Sequence, residues 1–160
     1  MAFFSAYSTS KAVMAGALGG VVASLIQGLL GYAATSNTGE EIFFVTIARK
    51  FGMGDSSIAG GWGLHIFTGL VAGAVVVGVT SRAKMLSLSN FRRGIGIGVL
   101  AGIAIWSVLF VPVTAIFLPE DLGRMTIMAG GFVLHILFGT IVAIISVALL
   151  RQRVQGTVQK

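Results

Sequence analysis

Long apolar runs separated by short polar connections dominate the chain. Four such runs cover residues 12–34, 60–80, 94–118 and 128–150, and none of them contains a Lys, Arg, Asp or Glu. About twenty consecutive apolar residues suffice for a helix to cross a hydrocarbon core about 30 Å thick. The pattern therefore predicts an all-α, polytopic membrane protein whose single membrane domain, residues 1–160, is a four-helix transmembrane bundle.

A shorter apolar segment lies within the first polar connection. The segment IFFVTIARKF, at about residues 42–51, is too short to span a membrane, and Ile42, Phe43, Ile47 and Phe51 share one face if it is helical. Its two basic residues then point elsewhere. The pattern predicts an amphipathic helix in the membrane interface, and a structured loop packed on the bundle is the alternative.

The second and fourth runs resemble each other. Residues 60–82 read GGWGLHIFTGLVAGAVVVGVTSR and residues 130–151 read GGFVLHILFGTIVAIISVALLR. Aligned without gaps, they share the Gly-Gly opening, the Leu-His-Ile core and the glycine four residues after the histidine. We interpret them as the second helices of two copies of one hairpin.

The first helices of the two hairpins align at a different offset. Gly16 and Gly20 fall opposite Gly98 and Gly102, and the repeat halves are residues 11–82 and 93–151. An even number of helices separates the halves, so both hairpins cross the membrane in the same sense. The expected architecture is two tandem parallel helical hairpins related by a pseudo-two-fold axis along the membrane normal.

Composition supports a lipid environment. Only 10% of the 160 residues are charged, 56% are hydrophobic and the mean hydropathy is +0.97, whereas soluble domains carry about 25% charged residues. The absence of cysteine excludes disulfides and thiolate metal sites. Small residues at every fourth position predict close helix packing. The glycines assigned to this packing are Gly16, Gly20, Gly28, Gly69, Gly73, Gly94, Gly98, Gly102 and Gly139.

The charged residues divide between the two ends of the predicted bundle. One end carries basic residues without any acid: Lys11, Arg82, Lys84, Arg92, Arg93, Arg151, Arg153 and Lys160. The other end carries every acid in the protein together with three basic residues. The positive-inside rule predicts a multi-pass cell-membrane protein with cytoplasmic N- and C-termini. This arrangement accounts for the +6 formal charge without a nucleic-acid partner. The cluster Arg82, Lys84, Arg92, Arg93, Arg151 and Arg153 sets the topology and attracts anionic lipid head groups.

His65 and His135 are the candidates for chemistry inside the membrane. They occupy equivalent repeat positions, about one turn inside the predicted helices, and each lies on a stripe of small residues. Facing imidazoles could ligate a b-type haem, or hold copper or zinc despite the few additional ligands. Alternatively, each ring donates a hydrogen bond to a neighbouring helix and stabilises the packing. A proton relay or a ligand contact is a further alternative.

The familiar catalytic arrangements are absent from the sequence. A Ser-His-Asp triad cannot be assembled because the predicted spans contain no acid. The glycine-rich run GIGIG is not a phosphate loop, because no strand precedes it and no Lys-Ser/Thr follows it. The sequence therefore favours a non-catalytic protein.

The segments GWGLHIFTGLVAG and GGFVLHILFGTIVA carry a family resemblance. They resemble a Gly-aromatic-x-x-His-x-x-x-Gly signature of small, largely uncharacterised four-helix membrane proteins of bacteria and archaea. The resemblance covers both hairpins and implies a compact bundle of four spans. It implies no established activity for His65 or His135.

Three functions follow as hypotheses. The first is a non-catalytic subunit that packs through glycine grooves in a larger membrane complex, such as a membrane oxidoreductase or monooxygenase, or with copies of itself. The second is a b-haem or metal-binding electron carrier that uses His65 and His135. The third is a small transporter or channel, for which Gln27, Ser24 and a few hydroxyls are a thin supply of polar side chains.

Overall fold

The protein is all-helical over the residues that its computed structural model describes, which are 8–36, 38–83, 88 and 90–158, with side chains up to residue 151. Four of its helices are long and apolar enough to cross a membrane. The predicted fold class, a helical bundle in a multi-pass membrane protein, is confirmed. Lys84, which the sequence assigns to the basic cluster, and the side chain of Arg153 lie outside the described part.

Six α-helices follow one another along the chain. They are α1 (Thr9–Thr35), α2 (Phe43–Lys50), α3 (Ser57–Arg82), α4 (Phe91–Ile105), α5 (Val111–Phe117) and α6 (Met125–Val158). Short 3-10 segments precede α3 and α6, at Gly54–Ser56 and Pro119–Gly123. We call the end of the bundle that carries α2 the α2 end, and the opposite end, where α1 begins, the terminal end.

The third span is interrupted by a π-helical segment, Trp106–Phe110, between α4 and α5. In this segment the N–H of Val111 donates to the carbonyl of Trp106, five residues earlier. Pro112 follows at once, and its ring would clash with the carbonyl four residues before it in a regular helix. The wider π turn removes that clash, so the third span accommodates Pro112 by a π segment on its N-terminal side.

Each hairpin is held together by backbone-to-backbone contact at glycines. In the first hairpin, a Cβ built on Gly20 would overlap the carbonyl of Gly69 on α3. In the second, a Cβ on Gly98 would lie 2.6 Å from the carbonyl oxygen of Gly139 on α6. No side chain fits at such distances, so these glycines allow the helices to approach more closely than larger residues would.

The two hairpins use a different register from the one that the sequence alignment predicts. In each hairpin, the glycine four residues after the histidine approaches two small residues of the first helix. These are Gly20 and Ser24 in one hairpin, and Gly98 and Gly102 in the other. In the structure, Gly20 and Ser24 therefore correspond to Gly98 and Gly102, whereas the sequence alignment matches Gly16 and Gly20 with them. The two correspondences differ by one helical turn. Small residues that recur every four positions match equally well after such a shift, which is why the sequence alone does not select the register.

The four spans lie in the order α3–α1–α6–α4. Between the hairpins, α1 packs on α6, where a Cβ on Gly19 would lie 3.1 Å from the carbonyl oxygen of Val142. Within the described residues, α3 and α4 make no comparable contact. Accordingly, 44% and 39% of the most apolar windows of the α1 and α6 spans are buried, against 22% and 17% for the α3 and α4–α5 spans. A two-fold axis would pack α3 on α4 as well, so the contact between the hairpins departs from that expectation.

The predicted interfacial helix is present as α2, and it packs on the bundle. Val45, Ile47 and Ala48 are buried, whereas Phe51 is 56% exposed. Its backbone rests on α3 at Gly61, where a Cβ would lie 2.8 Å from the carbonyl oxygen of Phe44. The structure thus combines the two alternatives, because α2 is amphipathic and its apolar face is covered by protein.

Ion pairs connect the loops at the α2 end. Arg124 binds Glu40, in the loop after α1, and also Asp121 at 3.1 Å. The hydrogen bonds that the Arg124 guanidinium donates to Glu40 and then to Asp121 raise its pKa, because both carboxylates favour its charged form. Arg49 pairs with Glu41. These contacts tie the first and last loops together beside α2.

Candidate functional site

A small cavity lies inside the bundle between both hairpins. Its volume is about 40 Å³, enough for a few water-sized molecules. Polar and apolar side chains from both hairpins line it: Ser24, Gln27, His65, Thr68, Gly69, Ala72, Ile105, Leu109, His135 and Phe138. Both histidines thus line the same cavity.

The histidines lie deeper than the sequence suggests. At about 1.5 Å per residue, His65 is about 12 Å from the start of α3 and His135 about 15 Å from the start of α6. Both helices begin three residues earlier than the predicted apolar runs, which accounts for part of the difference. Both histidines are therefore two to three turns inside their helices, within the apolar spans.

His65 connects two helices of the first hairpin. Its Nε2 lies 2.9 Å from the carbonyl oxygen of Ser24 on α1, and because a carbonyl only accepts, Nε2 carries the proton. The ring stacks on Phe44 of α2, with centroids 4.5 Å apart and planes at 14°. His65 thus makes the cross-helix hydrogen bond that the packing interpretation predicts.

His135 binds within its own helix. Its Nδ1 lies 2.6 Å from the carbonyl oxygen of Gly131, one turn earlier on α6, and donates to it. The ring lies 5.1 Å from that of Phe110, a residue of the π segment. The packing interpretation, which expects a bond to a neighbouring helix, therefore holds for His65 and not for His135.

Adjacent phenylalanines of α2 link the two histidine environments. Phe44 stacks on His65, while Phe43 lies 4.8 Å from Phe110, which in turn contacts His135. The π segment places Phe110 in contact with both Phe43 and His135. The insertion in the first hairpin therefore covers both histidines from the α2 end. The sequence marks α2 as amphipathic without indicating what its two phenylalanines contact.

Several polar atoms of the cavity have no partner in the described part of the chain. The Gln27 side chain is only 7% exposed and makes no hydrogen bond there. The Thr68 hydroxyl, on the exposed side of α3, likewise makes none. His65 Nδ1 and His135 Nε2 are also unpaired, and neither is among the polar atoms sealed from solvent. With the other ring nitrogen donating, each of these two nitrogens is an acceptor in the neutral imidazole.

The cavity does not fit a haem. A porphyrin is many times larger than the water-sized molecules that about 40 Å³ can hold. In addition, His65 Nε2, the nitrogen that points away from the backbone, is already bound to Ser24. Among the described residues, no group of three or more His, Cys, Asp or Glu side chains could hold a metal ion. The electron-carrier hypothesis is therefore not supported by this geometry.

The other predicted site residues lie away from the cavity or at its edge. All nine packing glycines contact the partner helix of their own hairpin, including Gly28, which contacts Trp62 and His65. Arg82 lies at the terminal end of an apolar groove of about 310 Å³ between α1 and α3. The guanidinium carbon of Arg151 lies 5.2 Å from the ring centroid of Phe91.

Residues missing from the sequence-based site are Thr68, Phe44 and Phe110. Thr68 follows His65 by three residues, so helical spacing on the histidine face was the signal that could have found it. Phe44 reaches His65 from α2 and Phe110 reaches His135 from the π segment, and nothing in the local sequence indicates these contacts.

Comparison with known proteins adds no relative, since no protein-family model, no curated protein and no solved structure matches the chain.

The different partners of the two histidines predict unequal effects of substitution. His65→Leu is expected to reduce stability by about 1–2 kcal/mol, because it removes a bond between helices and the stacking on Phe44. His135→Leu is expected to cost less, since its hydrogen bond is local to α6. Thermal unfolding in detergent checks this order, and equal losses would show that the cross-helix bond of His65 contributes little.

Proposed function

We propose that the protein is a non-catalytic integral membrane subunit that packs against a transmembrane helix of a larger complex. The observation that supports this is the open seam between α3 and the third span, defined by Thr68 and Ala72 of α3, Ile105 of α4 and Leu109 of the π segment. Lipid chains offer no hydrogen bond to the Thr68 hydroxyl or to the polar cavity behind it. A partner helix with polar side chains would cover both, as Ser, Thr and Asn do between membrane helices.

The glycine grooves do not supply this partner surface. The sequence-based hypothesis assigns the contact with a partner to glycine grooves, yet the nine assigned glycines are used within the hairpins. The outer faces instead carry large side chains, such as Leu29 and Val108, which are 60% and 76% exposed. The proposal therefore rests on the seam, where the described helices leave a gap, and not on the glycine grooves.

A channel is less compatible with the packing. From the cavity toward the terminal end, the fully buried side chains include Val77, Val142 and Val147. An ion crossing the bundle would have to leave the polar cavity and pass this apolar core at a large desolvation cost. The transporter hypothesis would therefore require the helices to rearrange.

The proposed orientation places both termini in the cytoplasm. The described basic residues without acidic neighbours, Lys11, Arg82 and Arg92 among them, lie at the terminal end, and every acid lies at the α2 end. The positive-inside rule then assigns the terminal end to the cytoplasm. Arg82, at the mouth of its apolar groove, would contact anionic lipid head groups there.

Photo-crosslinking in native membranes tests the subunit proposal. A photoreactive amino acid at Leu109, in the seam, is expected to capture one protein. The same protein should also copurify at fixed stoichiometry with the chain that carries no photoreactive residue. The same probe at Leu29, on the exposed face of α1, should capture lipid only. A second copy of the chain at Leu109 would identify a homo-oligomer. Lipid adducts alone at both positions would overturn the proposal.

A further inference from the structure

We propose that the groove between α1 and α3 binds one anionic phospholipid, with an acyl chain along the groove and the phosphate at Arg82. The groove shares no lining residue with the cavity or the seam. The inference rests on the head-group contact proposed above for Arg82, which it extends to a defined lipid site. It is independent of the partner proposed for the seam.

The groove is apolar over most of its length. Val13 of α1 and Val75 and Val79 of α3 line it, and all three side chains are exposed on the outer surface of the bundle. Ala74 and Gly78, one turn apart on α3, keep the space between these valines open. A Cβ on Gly78 would lie 3.1 Å from Cγ2 of Val13, so the two helices are in close contact at this point. A hydrocarbon chain can therefore lie along the groove in contact with both helices.

The groove is too short for a transmembrane helix. It extends along α3 from Ala74 to Arg82, which is about 12 Å at about 1.5 Å per residue. One turn before Ala74 on the same face comes Leu70, an exposed side chain that does not line the groove. A rigid helix that continued across the membrane would meet Leu70, whereas an acyl chain can bend around it. The length of the groove therefore favours the part of a lipid chain next to its head group.

Arg82 supplies a positive charge where the head group would lie. Its side chain is exposed, lines the groove at the terminal end and makes no hydrogen bond or ion pair in the described part of the chain. A guanidinium can donate two parallel hydrogen bonds to one phosphate. All five acids of the sequence lie at the α2 end, so no carboxylate at the terminal end competes for Arg82. The charge of Arg82 thus matches that of an anionic phosphodiester.

Native mass spectrometry of the purified full-length protein tests the role of the charge. The protein is delipidated and then mixed with phosphatidylglycerol, which is anionic, and phosphatidylcholine, which has the same chains and no net charge. We expect one phosphatidylglycerol to bind in preference to phosphatidylcholine. Arg82→Gln should lower this preference about fivefold, since a basic residue near anionic lipid contributes about 1 kcal/mol. Arg92→Gln removes the same group at the same end from the other hairpin, and should keep the preference.

A second pair of variants tests the role of the groove. Ala74→Leu places a large side chain in the groove and is expected to weaken the binding of both lipids about tenfold, as if about two methylene groups lost their burial. Ala104→Leu makes the same change on the exposed side of α4, outside the groove, and should bind as the parent does. Thermal unfolding in detergent checks that the variants are folded, and the arginine pair remains decisive if Ala74→Leu is unstable.

Four outcomes would overturn the proposal. They are equal affinity of the parent for the two lipids, an equal loss of preference in Arg92→Gln, undiminished binding by folded Ala74→Leu, and a dimer that survives delipidation but is absent in Ala74→Leu. The dimer would show that a second copy of the chain occupies the groove. Because the assay contains the purified chain alone, its result is independent of the capture expected at Leu109.

Discussion

Gly98→Leu is expected to destabilise the bundle by about 3 kcal/mol or more, toward the upper end of the range for overpacked sites. A Cβ at this position would lie 2.6 Å from the carbonyl oxygen of Gly139 and 2.7 Å from the Cα of Thr140. Both are backbone atoms, so α4 and α6 would have to separate along their whole contact. Thermal unfolding and size-exclusion profiles in detergent measure the effect.

Gly96→Leu is the matched control for this variant. Gly96 lies two residues away on the same helix, and a Cβ there would meet nothing within 4 Å. Its replacement is expected to change stability by less than about 1 kcal/mol, since only intrinsic helix propensity is altered. If both variants unfolded at the parent's temperature, close contact between the α4 and α6 backbones would not be what stabilises the second hairpin.

Gly61→Leu is expected to release α2 from the bundle. A Cβ there would lie 2.8 Å from both the carbonyl oxygen of Phe44 and the Cα of Val45, so α2 would have to lift away. Phe44 would then lose its stacking on His65. Hydrogen exchange should show loss of protection in residues 43–50, while the four spans keep theirs.

Gly63→Leu serves as the control for α2, because a Cβ at Gly63 would meet nothing within 4 Å. It should leave the exchange of α2 unchanged. Retained protection of α2 in Gly61→Leu would mean that the helix is held by Ile42, Val45 and Ala48 alone, and that the close approach at Gly61 is dispensable.

The fold class could be predicted because it depends on composition alone. The rest of the chain cannot shield four apolar runs of about twenty residues each from water. Lipid is therefore their solvent whatever the tertiary arrangement. The packing role of glycine was also predictable, since small residues are the common means of close approach between membrane helices. The partners of each glycine were not, because a shift of one turn, such as Ser24 in place of Gly20, leaves the small-residue pattern matched.

The candidate site was predictable in part. The similar sequences around His65 and His135 suggested that the two rings could face each other, and both line one cavity. The sequence did not indicate that His65 bonds to another helix and His135 to its own, nor that Gln27 would find no partner among the described residues. Such differences depend on a few ångströms of helix rotation and translation, to which sequence spacing is insensitive.

The sequence by itself determined that this chain crosses lipid four times and pairs its helices through glycine, because apolar length and small-residue spacing are local properties. Only the tertiary structure decided the order α3–α1–α6–α4, the position of α2 over both histidines and the seam beside Thr68. These features arise from contacts between residues far apart in the chain, which local sequence patterns do not specify.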